Sequence, residues 1–316
     1  MKRVLLIAGG GTLGRYAAKE LLRLGCAVDT ICHAEMTECG ENQRYFHAHA
    51  DLSYLQSLLA ENSYDGIVNF VHYPDVEEYK QVYRLLIANT AHLVFLSSYR
   101  VYADLQHPVT ESAPRLFDVV KDEAFLLTED YAVPKSKAED FLTKECSGQN
   151  WTIVRPVISF SDKRFDLFTH YSDFVIKCAE NNRPIELPEC AKNLTAGLDW
   201  AGNTGKIIAD LLFKKDAIGE AFTISSAQNL TWGEVAEIYS RLLRCEINYI
   251  PEAEFAAKYH PVLQDSWNYW YDRLYDRRID NTKVLRATGL TSKDFVSIEN
   301  GIKKELARYY ERKNAG

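Results

Sequence analysis

Seven residues, Ala8-Gly-Gly-Gly-Thr-Leu-Gly14, lead from the apolar run 4–7 into an amphipathic stretch at 13–24. A glycine-rich passage from strand to helix admits few folds. It lets backbone approach a ligand closely, and it aims the first amides of the following helix at that ligand. The alternation then continues. Strand-like runs fall at 27–32, 66–71, 92–97 and 151–154, with helical patterns at 52–60, 76–88 and 131–146. Short apolar runs alternating with amphipathic stretches predict βαβ units and a parallel sheet covered on both faces. Right-handed crossovers wind such units into an α/β, doubly wound, Rossmann-like sheet.

After Arg155-Pro156 the rhythm breaks, and 157–195 reads as irregular. A helix at 202–213 and a strand at 221–225 return to the first pattern, and a second helix follows at 231–243. Thr231 with Glu234 three residues on has the form of a capping box. The expected organisation is a dinucleotide-binding domain from 1–155 plus about 196–225. A smaller C-terminal substrate domain takes 156–195 plus 226–316, with a crevice at the carboxyl ends of the strands.

The glycine spacing is Ala8-x-x-Gly11-x-x-Gly14, with Gly9 and Gly10 between. Ala8 stands where a first glycine is usual. Its side chain is tolerated if its φ is negative, and Gly9 can supply the tight turn. The second strand ends in Cys32-His33 rather than in an acid for a ribose 2′-hydroxyl or an arginine for a 2′-phosphate, and Asp29 falls in mid-strand. The choice between NAD and NADP therefore stays open, NAD being slightly preferred. Asp51 either caps the helix starting near Leu52 or reaches the adenine.

Ser97 and Ser98 end a strand in the stretch FLSSYRVYAD. Tyr131 and Lys135 follow in YAVPKSKAE, four residues apart and so on one helical face. An ammonium beside a phenol favours phenolate, and a serine hydroxyl in the same crevice can hold a substrate oxygen. Together the three can pass a proton while a nicotinamide passes a hydride. Pro134 in mid-helix would clash with the preceding turn, so the helix should start near it, with Tyr131 at its entrance.

On these stretches the chain resembles the extended short-chain dehydrogenase/reductases of the NAD-dependent epimerase/dehydratase family. The resemblance is carried by VLLIAGGGTLG, ADL at 50–52, FLSSYRVY, VTESAP, YAVPKSKAE, TIVRP and DNTKVLRATGL. Glu139, eight residues after Tyr131, extends the Y-x-x-x-K pattern. GRY and YDRLYDRRIDNTKV are similar to a branch that includes chloroplast stem-loop-binding proteins and bacterial relatives. The resemblance implies Tyr131 as acid/base, Lys135 as the residue that tunes it and holds the nicotinamide ribose, and Ser98 on the sugar oxygen. It places a cofactor against Ala8, Gly9, Gly11, Thr12, Leu13 and Gly14, with His33, Asp51, Leu52 and Val71 on the adenosine side. Tyr131, Lys135, Pro156 and Ile158 take the nicotinamide side. Ser98, Tyr99, Arg164, Arg273 and Arg278 are the expected substrate contacts. The implied activity is a nucleotide-sugar epimerase or 4-ketoreductase. Tyr99-Arg100 stand where dehydratases carry an acidic pair, which argues against 4,6-dehydration, and RPVISFSDKRFD lacks the usual glycine-proline.

The alternative is a non-catalytic nucleotide-sensing or RNA-associated protein on the same fold. A net charge of −7 argues against nucleic acid, which calls for a basic face. No apolar run approaches a membrane span, and no signal peptide is apparent, so the expected setting is cytoplasmic, with seven reduced cysteines and chance sequons at Asn150, Asn193 and Asn229. Cys32, His33, Cys39, His47 and His49 lack paired zinc-ligand spacing, so no metal is expected. Arg273, Arg277 and Arg278 beside Trp267 and Trp270 suit a diphosphate and a base, or else a solvated helix. The expected partner is a small molecule, with a homodimer as the compatible assembly.

Overall fold

The computed structural model describes residues 1–33, 40–128, 131–262 and 266–315. Its strands are β1 (Arg3–Ile7), β2 (Ala27–Cys32), β3 (Gln43–His47), β4 (Gly66–Asn69), β5 (Leu93–Leu96), β6 (Trp151–Pro156), β7 (Ile158–Phe160), β8 (Ile185–Pro188), β9 (Leu198–Trp200), β10 (Glu220–Ile224) and β11 (Ile247–Ile250). The helices are α1 (Thr12–Arg23), α2 (Leu52–Glu61), α3 (Val76–Ala88), α4 (Leu116–Val119), α5 (Glu123–Leu126), α6 (Ala132–Asp140), α7 (Ser172–Glu180), α8 (Ala201–Leu211), α9 (Trp232–Leu243), α10 (Glu252–Tyr259), α11 (Thr282–Thr288) and α12 (Ile298–Ala315).

Seven strands form one sheet in the order β10-β6-β5-β4-β1-β2-β3, and every pairing is parallel. The order reverses between β1 and β4, which opens a crevice at the carboxyl ends of those strands. Both faces are covered, so the central strands are buried along their length: all four residues of β4 and of β5 are buried. One face packs Leu5, Ile7, Ile67 and Phe95 against α2 and α3 through Leu55, Tyr79 and Leu86. The other packs Val4, Leu6, Val68 and Val94 against α1 and α8 through Ala17, Leu21 and Ile208. Gly205 lets α1 and α8 approach, since a Cβ there would meet Ala17 N at 2.7 Å.

Asp29 is sealed inside the sheet. Its carboxylate accepts from Arg44 Nε at 2.8 Å and Tyr64 OH at 2.8 Å, with Arg3 Nε at 3.3 Å. It serves the sheet and not the crevice.

The segment expected to be irregular is not. It contains β7, α7 and β8. The α7 helix is nine residues long and its N-cap, Tyr171, makes no side-chain cap bond, so the usual start signal is missing. Burial of Val175, Ile176 and Cys178 holds it in place. The capping box at Thr231 and Glu234 is formed, with both reciprocal bonds present. No helix among the described residues is long and apolar enough to cross a membrane.

Candidate active site

Three strand ends converge. After β1 the chain enters the glycine turn, after β5 it reaches Ser97 and Ser98, and after β6 it passes Val157. These ends open on one cleft of about 690 Å³. Ala8, Gly11, Thr12, Leu13 and Gly14 line it, as do Ser98, Tyr99, Arg100 and Tyr131. Pro156, Ile158, Arg164, Trp267, Asp272 and Arg273 are also among the lining residues.

The turn behaves differently at each position. Ala8 has φ 57°, in the left-handed region, so the negative φ that would make its side chain harmless is not adopted. An L-residue there carries strain of about 1–2 kcal/mol. Gly9 and Gly14 are closed in: a Cβ on Gly9 would meet Leu6 Cβ at 2.7 Å, and one on Gly14 would meet the Gly9 carbonyl oxygen at 2.3 Å. A Cβ on Gly11 would meet nothing within 4 Å. Gly11 is the N-cap of α1, no side chain caps its amides, and its first turn holds no acid. The helix therefore presents unsatisfied N–H groups and a positive dipole end to the cleft.

Tyr131 is the N-cap of α6. The helix begins at Ala132, near Pro134 as expected, with Tyr131 at its entrance. Pro134 is its third residue, where an amide has no intrahelical acceptor, so the proline removes no helix bond. Lys135 lies one turn on and is fully buried. Its Nζ is 5.4 Å from the Tyr131 ring centroid and donates to the carbonyls of Leu96 at 2.5 Å and Val71 at 3.2 Å. Burial pushes the lysine down to about 7, while Glu139 pulls it up. The Tyr131 phenol is raised by burial. The cations pulling it back are Arg100 and Arg164, a pair the sequence reading did not connect with Tyr131. Ser98 Oγ accepts from the Arg100 amide at 3.2 Å.

Several expected residues lie outside the cleft lining, among them the fully buried Lys135. His33 is exposed beyond β2, with its ring 4.2 Å from that of His49. Asp51 caps α2, accepting from Tyr54 N at 2.9 Å and Ser53 Oγ at 2.7 Å. Leu52 packs with the α2 core, and Val71 offers its carbonyl to Lys135. Gly9 lies beneath the turn. Arg278 is exposed, whereas Arg277 is buried and bonded to Asp272 and the Tyr102 carbonyl. Among the described residues no group of three or more histidine, cysteine, aspartate or glutamate side chains could hold a metal ion; Cys39 is outside those residues. The sequence reading missed Arg100 and Asp272 as cleft residues. Their signal was proximity: Arg100 follows Ser98 by two, and Asp272 precedes Arg273.

Neither a family model nor a curated protein sequence matches the chain. Solved structures do. UDP-glucose 4-epimerase from Stenotrophomonas maltophila, with bound NAD and formylated UDP-arabinopyranose, is similar with a TM-score of 0.72 at 14% identity, over 100% of both chains. UDP-glucose 4-epimerase from Thermotoga maritima, with UDP-glucose, gives 0.72 at 13% identity over 98% of this chain and 99% of that one. The chain has the fold of these epimerases. UDP-glucuronic acid 4-epimerase from Bacillus cereus, in complex with UDP-glucuronic acid and NAD, gives 0.71 at 13% identity over 98% and 99%. At such identities the likeness extends to the fold, and the chemistry has to be argued from the cleft.

Proposed function

We propose that this chain is an NAD(P)-dependent nucleotide-sugar epimerase or 4-ketoreductase. One observation carries the reading: a single cleft is lined by an uncapped helix N-terminus, by the Tyr131 phenol and the Ser98 hydroxyl, and by three arginines. The similar solved epimerases hold NAD or sugar nucleotides, which fits this division of the cleft.

The open face at Gly11 and the amides of Thr12, Leu13 and Gly14 suit the pyrophosphate of a dinucleotide. Pro156 and Ile158 would flank the nicotinamide, with Tyr131 and Lys135 toward its ribose. His33, Asp51, Leu52 and Val71 stand near the same carboxyl edge, toward the adenosine. A nicotinamide bound there supplies hydride acceptance and return. Tyr131 takes the proton from a sugar hydroxyl as the carbon is oxidised and returns it on reduction. Ser98 holds that oxygen. Arg100 and Arg164 draw the phenol toward ionisation, and Lys135, bonded to the Leu96 and Val71 carbonyls, holds the strand ends behind it. Arg164 and Arg273 meet anionic oxygens of the substrate. In this division, 1–155 with 196–225 carries the dinucleotide, and 156–195 with 226–316 carries the sugar nucleotide.

The cofactor half is tested by Gly11→Asp. Aspartate is a good N-cap at this backbone geometry, and its charge suits the helix dipole, so the melting temperature is held or raised. The same carboxylate occupies and repels the pyrophosphate position. Calorimetric titration should show NAD or NADP binding to the native chain and lost in the variant. Equal binding by both proteins would overturn the assignment.

A further inference from the structure

The cofactor helix carries cations that the cleft does not use. Lys19 lies on α1, Lys304 and Arg308 lie on α12, and none of the three lines the cleft. They gather on one aromatic pair. The rings of Tyr16 and Trp200 are buried, with centroids 5.3 Å apart and planes at 69°. Lys19 Nζ is 5.3 Å from the Tyr16 centroid, and Lys304 Nζ is 4.7 Å from that of Trp200. Arg308 Nη1 donates to Tyr16 OH at 2.6 Å. The faces of such rings attract cations and hold these side chains together.

One carboxylate fixes this platform and is used up in doing so. Glu305 is 0% exposed and accepts from Tyr16 OH, Trp200 Nε1 at 2.8 Å, Asp162 N at 2.9 Å and Arg308 Nη1 at 3.1 Å. Lys19 and Lys304 are exposed, and neither pairs with a carboxylate among the described residues. Arg308 spends only Nη1 on Tyr16 and Glu305, and its side chain is 36% exposed. Burial holds the Lys19 ammonium below its ordinary value, and Arg308, Arg15 and Lys304 push the same way against Glu305. Positive charge is therefore in excess on this face, and its ammonium donors are open to a ligand. Several cations around one pair of rings call for an anion with several charges close together, as phosphates joined through oxygen provide. A net charge of −7 disfavours a long nucleic-acid strand.

We propose that Lys19, Lys304 and Arg308 form a second anion site, outside the cleft, for a compact polyphosphate group. The site stands independently of the chemistry assigned to the cleft.

The test is calorimetric titration of the full chain with inorganic triphosphate, in the Gly11→Asp variant, where the phosphate position of the cleft is closed. Binding should saturate and weaken with added salt. Adding Lys19→Gln and Lys304→Gln should weaken it at least about tenfold, the equivalent of one charge-assisted bond. The melting temperature without ligand should hold, since neither lysine pairs with a carboxylate. Lys19→Arg with Lys304→Arg, which keeps both charges, should keep the binding. The same titration of the native chain saturated with NAD covers a poorly folding variant. No binding to either protein, or equal binding after the glutamine changes, would overturn the site. Tighter binding of a short single-stranded RNA than of triphosphate would overturn its assignment to a compact anion.

Discussion

Replacing Tyr131 with phenylalanine should lower turnover by about 10²- to 10⁴-fold, the usual contribution of a positioned acid/base. The change deletes one hydroxyl and keeps the ring that packs near His72 at 4.8 Å between centroids. Its backbone position at the entrance of α6 is also unchanged, so the melting temperature should hold and NAD should still bind. The loss should fall on kcat, because the phenol acts on a proton in transit rather than on substrate affinity. Steady-state kinetics of the two proteins checks this. Unaltered turnover would remove Tyr131 from the chemistry.

The largest stability effect should come from Glu139→Gln. Glu139 is buried and accepts from Arg155 Nε and Nη2, both at 2.8 Å, with Arg115 Nη1 at 3.5 Å. Arg155 in turn donates to Tyr102 OH at 2.8 Å and the Glu111 carbonyl at 3.2 Å. An amide in place of the carboxylate leaves a buried guanidinium without its counter-charge, and breaking such a pair costs about 3–5 kcal/mol. Urea unfolding should show the midpoint shift. A second consequence follows for the site. Glu139 raises the Lys135 pKa, so its neutralisation lets Lys135 release its proton below the native value of about 7. The native chain has its own signature here. Between about 7 and the ordinary lysine value of 10.5 the unfolded chain holds a proton that the folded one has released, so this group's contribution to stability rises with pH across that window. In Glu139→Gln the rise should begin at lower pH.

How much of this was legible in the sequence depends on how local the cause was. The β2 and α3 boundaries, Ala27–Cys32 and Val76–Ala88, coincide with the periodic pattern because burial on one or both faces dictates it. The capping box at Thr231 is a four-residue signal and could be read directly. The φ of Ala8 could not, because no local residue pattern marks an alanine for the left-handed region. The α7 helix was hidden because tertiary burial rather than a cap defines it. Arg100 and Asp272 are 172 residues apart in number and meet only when the 266–277 segment folds back over the β5 end. Their pairing follows from topology, which no short window shows. The expected proximity of Tyr131 and Lys135, by contrast, needed only one helical turn.

The central claim is that the cleft oxidises or reduces a ring carbon of a sugar nucleotide. Its most direct test is nuclear magnetic resonance of the sugar ring after incubation of the full chain with NAD and, in parallel, UDP-glucose or UDP-glucuronic acid, repeated with the reduced cofactors and the corresponding 4-keto sugars. The account predicts an epimer or a reduced sugar altered at a single ring carbon, formed by the native chain and suppressed in Tyr131→Phe. An unchanged ring in every mixture, with folded protein and bound cofactor, would contradict it and favour a fold kept for sensing nucleotides.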